Sequence, residues 1–158
     1  MTIDRISRNL PDVNNVNKKV VLYIDGLIVR IQRPDNAGNA YFCGRNDKSC
    51  DSLNVQYLVD INGFIRHVIS GISGATHDKT AAEWSPELMN FLENLPEGYV
   101  VLGDPAYRNL HDRVMHTFVG RGLDDAQLAY NDRAKRLRQI VERAIGATEI
   151  KWKMDQFN

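Results

Sequence analysis

The dipeptide Asn62-Gly63, set between the runs 53–61 (LNVQYLVDI) and 64–70 (FIRHVIS), constrains this chain more than any other feature. Asn-Gly between β-prone runs is the strongest short hairpin signal, because both central positions of a two-residue hairpin turn take positive φ. Two antiparallel strands are therefore expected, and the rest of the chain must extend or cover them. The run 19–25 (KVVLYID) is β-branched and apolar, as in a strand buried on both faces, and Gly26 follows it. This places Asp25 at the C-terminal end of a strand. The run 99–102 (YVVL) is a short strand that stops at Gly103-Asp104-Pro105, where proline removes a ladder donor. Asp104 thus lies just past a second strand end, and 115–119 (MHTFV) reads as a weaker last strand.

Helices are expected at two places. Ser85-Pro86 followed by Leu88, Met89, Phe91, Leu92 and Leu95 supplies an N-cap, a proline at the first helical position and helical apolar spacing over 86–94. Over 124–148, Leu137, Ile140, Val141, Ala144 and Ile145 recur at helical spacing, with Gly146 near the end. The segment 71–79 (GISGATHDK) reads as turn material and 33–51 as a long polar loop. Residues 1–17 read as a flexible lead-in to one domain over 18–153. The fold class is α/β, a mixed sheet flanked by helices.

Composition bounds the function. With 158 residues, 43% hydrophobic and 25% charged, one core is expected. No apolar stretch approaches the ~18 residues of a membrane span, and the polar N-terminus is unlike a secretory signal, so an intracellular, soluble protein is expected. Cys43 and Cys50 lack a second pair to complete a zinc site and read as free thiols without function. Net charge is zero, which argues against a surface that grips polyanions everywhere. Yet Arg133, Lys135, Arg136, Arg138, Arg143, Lys151 and Lys153 crowd the last quarter and leave room for a local basic face.

The candidate chemistry rests on carboxylates. Cutting a phosphodiester requires an activated oxygen nucleophile and neutralised phosphoryl oxygens, which two hard divalent cations supply, and such cations take Asp and Glu ligands. Asp25 and Asp104 each have an ordinary reading as turn residues, but strands lying side by side would bring them together. Asp78 could cap the helical segment after it, and His77 reads better as a hydrogen-bonding neighbour than as a ligand. Glu142 borders the apolar stripe of the last helix, one turn after Arg138, as either a surface ion pair or a carboxylate reaching over the sheet edge. Carboxylates at two strand ends, at the start of a helix and on the last helix are what an RNase H-like nuclease needs.

The ordered set Ile24-Asp25-Gly26, Arg33-Pro34, Ser52-Leu53-Asn54-Val55-Gln56 with Asp60 and Gly63, Gly71, Gly74, His77-Asp78, Leu102-Gly103-Asp104 with Tyr107, Val141-Glu142-Arg143-Ala144-Ile145-Gly146 and Lys151-Trp152 closely resembles the DDE superfamily endonucleases of the Harbinger type, a transposase-derived nuclease family. The resemblance spans about 20–152. It implies an RNase H-like fold, Mg²⁺- or Mn²⁺-dependent cleavage of DNA, a nuclear setting and a separate Myb-like DNA-binding partner. Carried over by motif, it makes Asp25, Asp78, Asp104 and Glu142 the metal ligands, with Asp25, Asp104 and Glu142 catalytic, and Arg138 and Arg143 candidates for phosphate contact. Three departures stand out: GDPAY carries Pro105 where a small residue and glycine are more usual, the loop 33–51 is long and polar, and little precedes Lys18 where a helical region is common, so either a fragment or target choice delegated elsewhere is expected. The rival expectations are a domesticated, non-cutting domain that binds DNA or a protein partner, and a related activity on RNA or hybrids.

Overall fold

A computed structural model describes residues 8–11, 17–44 and 49–152. Its elements run β1 (Arg8–Pro11), β2 (Asn17–Arg30), β3 (Phe42–Cys43), β4 (Cys50–Asp60), β5 (Ile65–Ser73), α1 (Asp78–Glu83), α2 (Pro86–Glu93), β6 (Tyr99–Leu102), β7 (Val114–Met115) and α3 (Asp125–Trp152).

The expected hairpin is β4 against β5, but its turn differs from the expected two-residue form. Gly63 takes φ +81° while Asn62 does not enter the left-handed region. Gly63 N–H donates to the Asp60 carbonyl at 3.0 Å, and Asp60 N–H to the Phe64 carbonyl at 3.0 Å, so the loop is three residues. The cause is Asp60. Its fully buried carboxylate accepts from the Asn62 and Phe64 N–H groups and pairs with Arg66, organising the turn by side chain.

β2 is longer than its apolar run and carries the chain through Gly26 to Arg30. It pairs antiparallel with β4 from Leu22↔Asp60 to Arg30↔Ser52. Asp25 is therefore inside a strand rather than at its end. The strand that does end here is β6, parallel to β2 with Tyr23↔Leu102 as its last pair. Within the lead-in expected to be flexible, residues 8–11 form β1 on the first part of β2, and Leu10 is buried; the rest of that segment, 1–7 and 12–16, lies outside the described residues. The polar loop 33–51 contains β3, which sets Cys43 opposite Cys50, both free thiols. The weak last strand is the two-residue β7, parallel to β6.

The sheet runs β3-β4-β2-β6-β7, with β1 also on β2 and β5 also on β4. Strand alternation sorts its side chains to two faces. Tyr23, Val55, Tyr57, Val59, Val100 and Leu102 pack under α3 through Tyr130, Ala134, Val141 and Ile145. Leu22, Ile24, Leu58 and Val101 meet α1 and α2 through Ala82, Leu88 and Leu92. α2 starts as its sequence predicts, with Ser85 Oγ accepting from Leu88 N–H at 3.2 Å and Pro86 at the first position. No helix among the described residues is long and apolar enough to cross a membrane.

Candidate active site

The parallel register of β2 and β6 places the site. With Tyr23 opposite Leu102, Asp25 and Asp104 each stand two residues further along their chains. Beyond Leu102 the chain leaves the sheet. Asp104 caps a 3-10 turn over Pro105–Tyr107, its Oδ1 accepting from Ala106 N–H at 2.8 Å. Pro105 fits as the first residue of that turn, where no N–H is needed. The departure from the usual motif therefore stiffens the cap rather than breaking it.

Asp25 projects toward α3. Its carboxylate accepts from Gly26 N–H at 3.0 Å and lies 3.5 Å from the guanidinium of Arg138, which stands 3.4 Å from Glu142 one turn further on. Arg138 is thus a cation between two carboxylates from different elements. The Asp25 carboxyl is held above its ordinary value, first by burial and then by Asp104, with Arg138 and the Gly26 N–H opposing. The buried Nε of Arg138 has no hydrogen-bond partner among the described residues, so its grip on the site is incomplete.

Asp78 arrives from the other side of β2. It is the first residue of α1, whose N-cap is His77 with no side-chain cap bond, so Asp78 does not serve as the cap. A Cβ on Gly26 would lie 2.9 Å from Asp78 Oδ1 and 2.8 Å from Gln56 Nε2. Glycine at 26 is thus required by close approach, since the strand is extended there. Asp78 Oδ1 accepts from Asn54 Nδ2 at 2.8 Å and Gln56 Nε2 at 3.2 Å. Asn54 Nδ2 also donates to the Thr76 carbonyl at 2.9 Å, Gln56 Nε2 donates to Asn54 Oδ1, and the Tyr107 hydroxyl donates to Gln56 Oε1. Gly103 makes room for this phenol: a Cβ there would lie 2.8 Å from Tyr107 Cδ2. The Tyr107 phenol is pushed well above its ordinary value, first by burial and then by the charges of Asp78, Asp25 and Asp104, with Arg138 opposing.

Asp25, Asp78 and Asp104 therefore surround the junction of β2, β6 and α1, and Glu142 joins them through Arg138. Among the described residues no group of three or more His, Cys, Asp or Glu is arranged to hold a metal ion. The donor types suit a hard cation, because they are carboxylate oxygens, but the Arg138 guanidinium stands between Asp25 and Glu142 and would have to give way to one. Asn54, Gln56 and Tyr107 carry no role in the sequence reading beyond their motifs. The signal for Asn54 and Gln56 is two amides spaced by two within the run 53–59, whose other residues are apolar or aromatic.

No curated protein and no solved structure matches the chain. A family model described as DDE superfamily endonuclease matches residues 24–156, which include all four carboxylates, Asn54, Gln56, Tyr107 and Arg138, and the chain belongs to that family.

Proposed function

We propose that this protein is a divalent-metal-dependent DNA endonuclease with an RNase H-like fold, derived from a Harbinger-type transposase. The observation that carries the reading is that Asp25, within β2, and Asp104, just past the end of β6, each follow the last parallel pair Tyr23↔Leu102 by two residues, with Glu142 tied to Asp25 by Arg138. The fold reading is supported by the order β5-β4-β2-β6-β7, in which β2, β4 and β5 are antiparallel neighbours and β6 and β7 run parallel to β2. In this reading Asp25, Asp78, Asp104 and Glu142 hold Mg²⁺ or Mn²⁺, and Asp25, Asp104 and Glu142 are catalytic.

When bound, the cations supply charge neutralisation on the phosphoryl oxygens and activation of water. The chain's own residues do the rest. Asp25 is largely out of bulk water and feels the charge of Asp104, and that repulsion favours capture of a cation. The 3-10 turn fixes the direction of Asp104. Arg138 holds Asp25 and Glu142 together, and where those carboxylates carried a cation its guanidinium would be free for a phosphate. The setting is the nucleus, and a Myb-like partner supplies DNA contacts.

Nicking of supercoiled plasmid tests this. Wild-type protein should nick with Mg²⁺ or Mn²⁺ and not with EDTA, and Asp25→Asn or Asp104→Asn should abolish nicking. Undiminished cleavage by either variant refutes the assignment, and a panel of DNA, RNA and hybrid substrates tests the choice of DNA. A second reading, a domesticated domain that binds DNA or protein without cutting, is favoured by zero net charge and by an arginine already neutralising Asp25 and Glu142. Tight DNA binding without metal-dependent nicking would establish it.

A further inference from the structure

Amide side chains are polar in a definite sense: one end donates and the other accepts, and a flip exchanges them. Gln56 and Asn54 are both fully buried on β4, so neither can exchange partners with water. Each is fixed from a different direction. Oδ1 of the Asp78 carboxylate, which only accepts, and Asn54 Oδ1 take Gln56 Nε2, and Oε1 at the other end accepts from the Tyr107 hydroxyl, so the amide is held at both ends. The Thr76 carbonyl, an acceptor, forces Asn54 Nδ2 to the same carboxylate oxygen. Both amide nitrogens donate to Asp78 Oδ1. Among the described residues Oδ2 of Asp78 accepts no hydrogen bond, so one oxygen is committed to the protein and the other is not.

We infer that Tyr107 is a positioning residue for Asp78, acting through the amide of Gln56 so that Asp78 presents Oδ2 to a divalent cation while Oδ1 stays clamped. The inference rests on the proposed role of Asp78 as a metal ligand. It gives the last residue of the Gly103-Asp104-x-x-Tyr107 motif a function: one short segment supplies a carboxylate directly and orients a second one across the sheet. Without the phenol hydroxyl, Gln56 Oε1 is buried with no donor, and one of the contacts that fix the amide plane is gone. Nε2 then holds Asp78 Oδ1, at 3.2 Å already its longer contact, less firmly.

The test is a double-mutant cycle in the full chain with Tyr107→Phe, which keeps the ring, and Gln56→Met, which removes the polar ends at similar volume. Mn²⁺ affinity is read by calorimetry, thermal midpoints are read alongside, and side-chain amide protons of Asn54 and Gln56 are followed by ¹H–¹⁵N exchange. Tyr107→Phe is expected to weaken Mn²⁺ binding about tenfold or more, as loss of an outer partner of a ligand does. It should add nothing in the Gln56→Met background, and it should speed exchange of the Gln56 amide. Additive losses, or a lower thermal midpoint with unchanged Mn²⁺ affinity and unchanged amide exchange, would overturn the inference. If the wild-type protein binds no Mn²⁺ but the Gln56 amide loses protection in Tyr107→Phe, the orientation of Asp78 stands and the metal-ligand reading fails. If protection is unchanged, the positioning role fails whatever the metal does.

Discussion

The two sides of β2 hold their carboxylates by opposite means. On the α1 side, Asp78 is clamped by neutral amides that are themselves buried and fully engaged, in a pocket with no room for a Cβ at Gly26. On the α3 side, Asp25 and Glu142 share one arginine at 3.5 and 3.4 Å, longer than strong charge-assisted contacts, and half of the Glu142 side chain faces solvent. The first arrangement costs a great deal to disturb, because every buried polar group in it would lose a partner. The second costs little, since partly exposed ion pairs contribute only about 0.2–1 kcal/mol. A site that must admit cations and a polyanion needs a fixed wall and a movable one, and the sheet separates the two.

The largest test of that contrast is on the rigid side. Gly26→Ala should displace Asp78 and Gln56 by a few tenths of an ångström or more, because Gln56 is fully buried and cannot swing into water. Displacement of a positioned group on this scale costs up to about hundredfold in rate, and overpacking a buried site costs about 1–3 kcal/mol of stability. Plasmid nicking and denaturant unfolding measure both, and a silent Gly26→Ala would show that the clamp is not tight. The next test is on the movable side. Arg138→Ala should tighten Mn²⁺ binding by about two- to fivefold, the worth of the exposed ion pairs it removes, while weakening plasmid binding and leaving thermal stability nearly unchanged. Weaker Mn²⁺ binding would mean that Arg138 organises the ligands rather than holding their place.

The same contrast explains what the sequence discloses. Strands β4, β5 and β6 and helix α2 are legible because their signals are local: an Asn-Gly turn, a Ser-Pro cap, apolar runs of the right length. The carboxylates of Asp25 and Asp104 are legible as a pair only through the assumption that two strands lie side by side, which the register supplies. The true extent of β2 is hidden because Gly26 looks like a terminator, whereas its glycine answers to Asp78, more than fifty residues away. The Tyr107–Gln56–Asn54 chain is hidden for the same reason, since it joins β4, α1 and the turn after β6 through side chains that no spacing rule links. The direction of Arg138 toward Asp25 also depends on how α3 crosses the sheet, not on the helical pattern that places it beside Glu142.

The smallest expected effect concerns pH and stability. The Asp25 carboxyl is raised above 3.8, chiefly by burial, so in the window just above 3.8 the folded protein holds a proton there that the unfolded chain has released. Stability from this group therefore falls as pH rises through that window, and at neutral pH a charged Asp25 weakens the metal-free fold. Asp25→Asn keeps the acceptor for Gly26 N–H and removes the buried charge. Its thermal midpoint in EDTA should exceed that of the wild type at pH 7, and the gain should shrink as pH approaches 3.8. Added Mn²⁺ should reverse the order, because only the wild type gains by binding it. A midpoint for Asp25→Asn below the wild type in EDTA at pH 7 would mean that the Arg138 pair outweighs desolvation, and that the movable side of the site is held more firmly than its distances indicate.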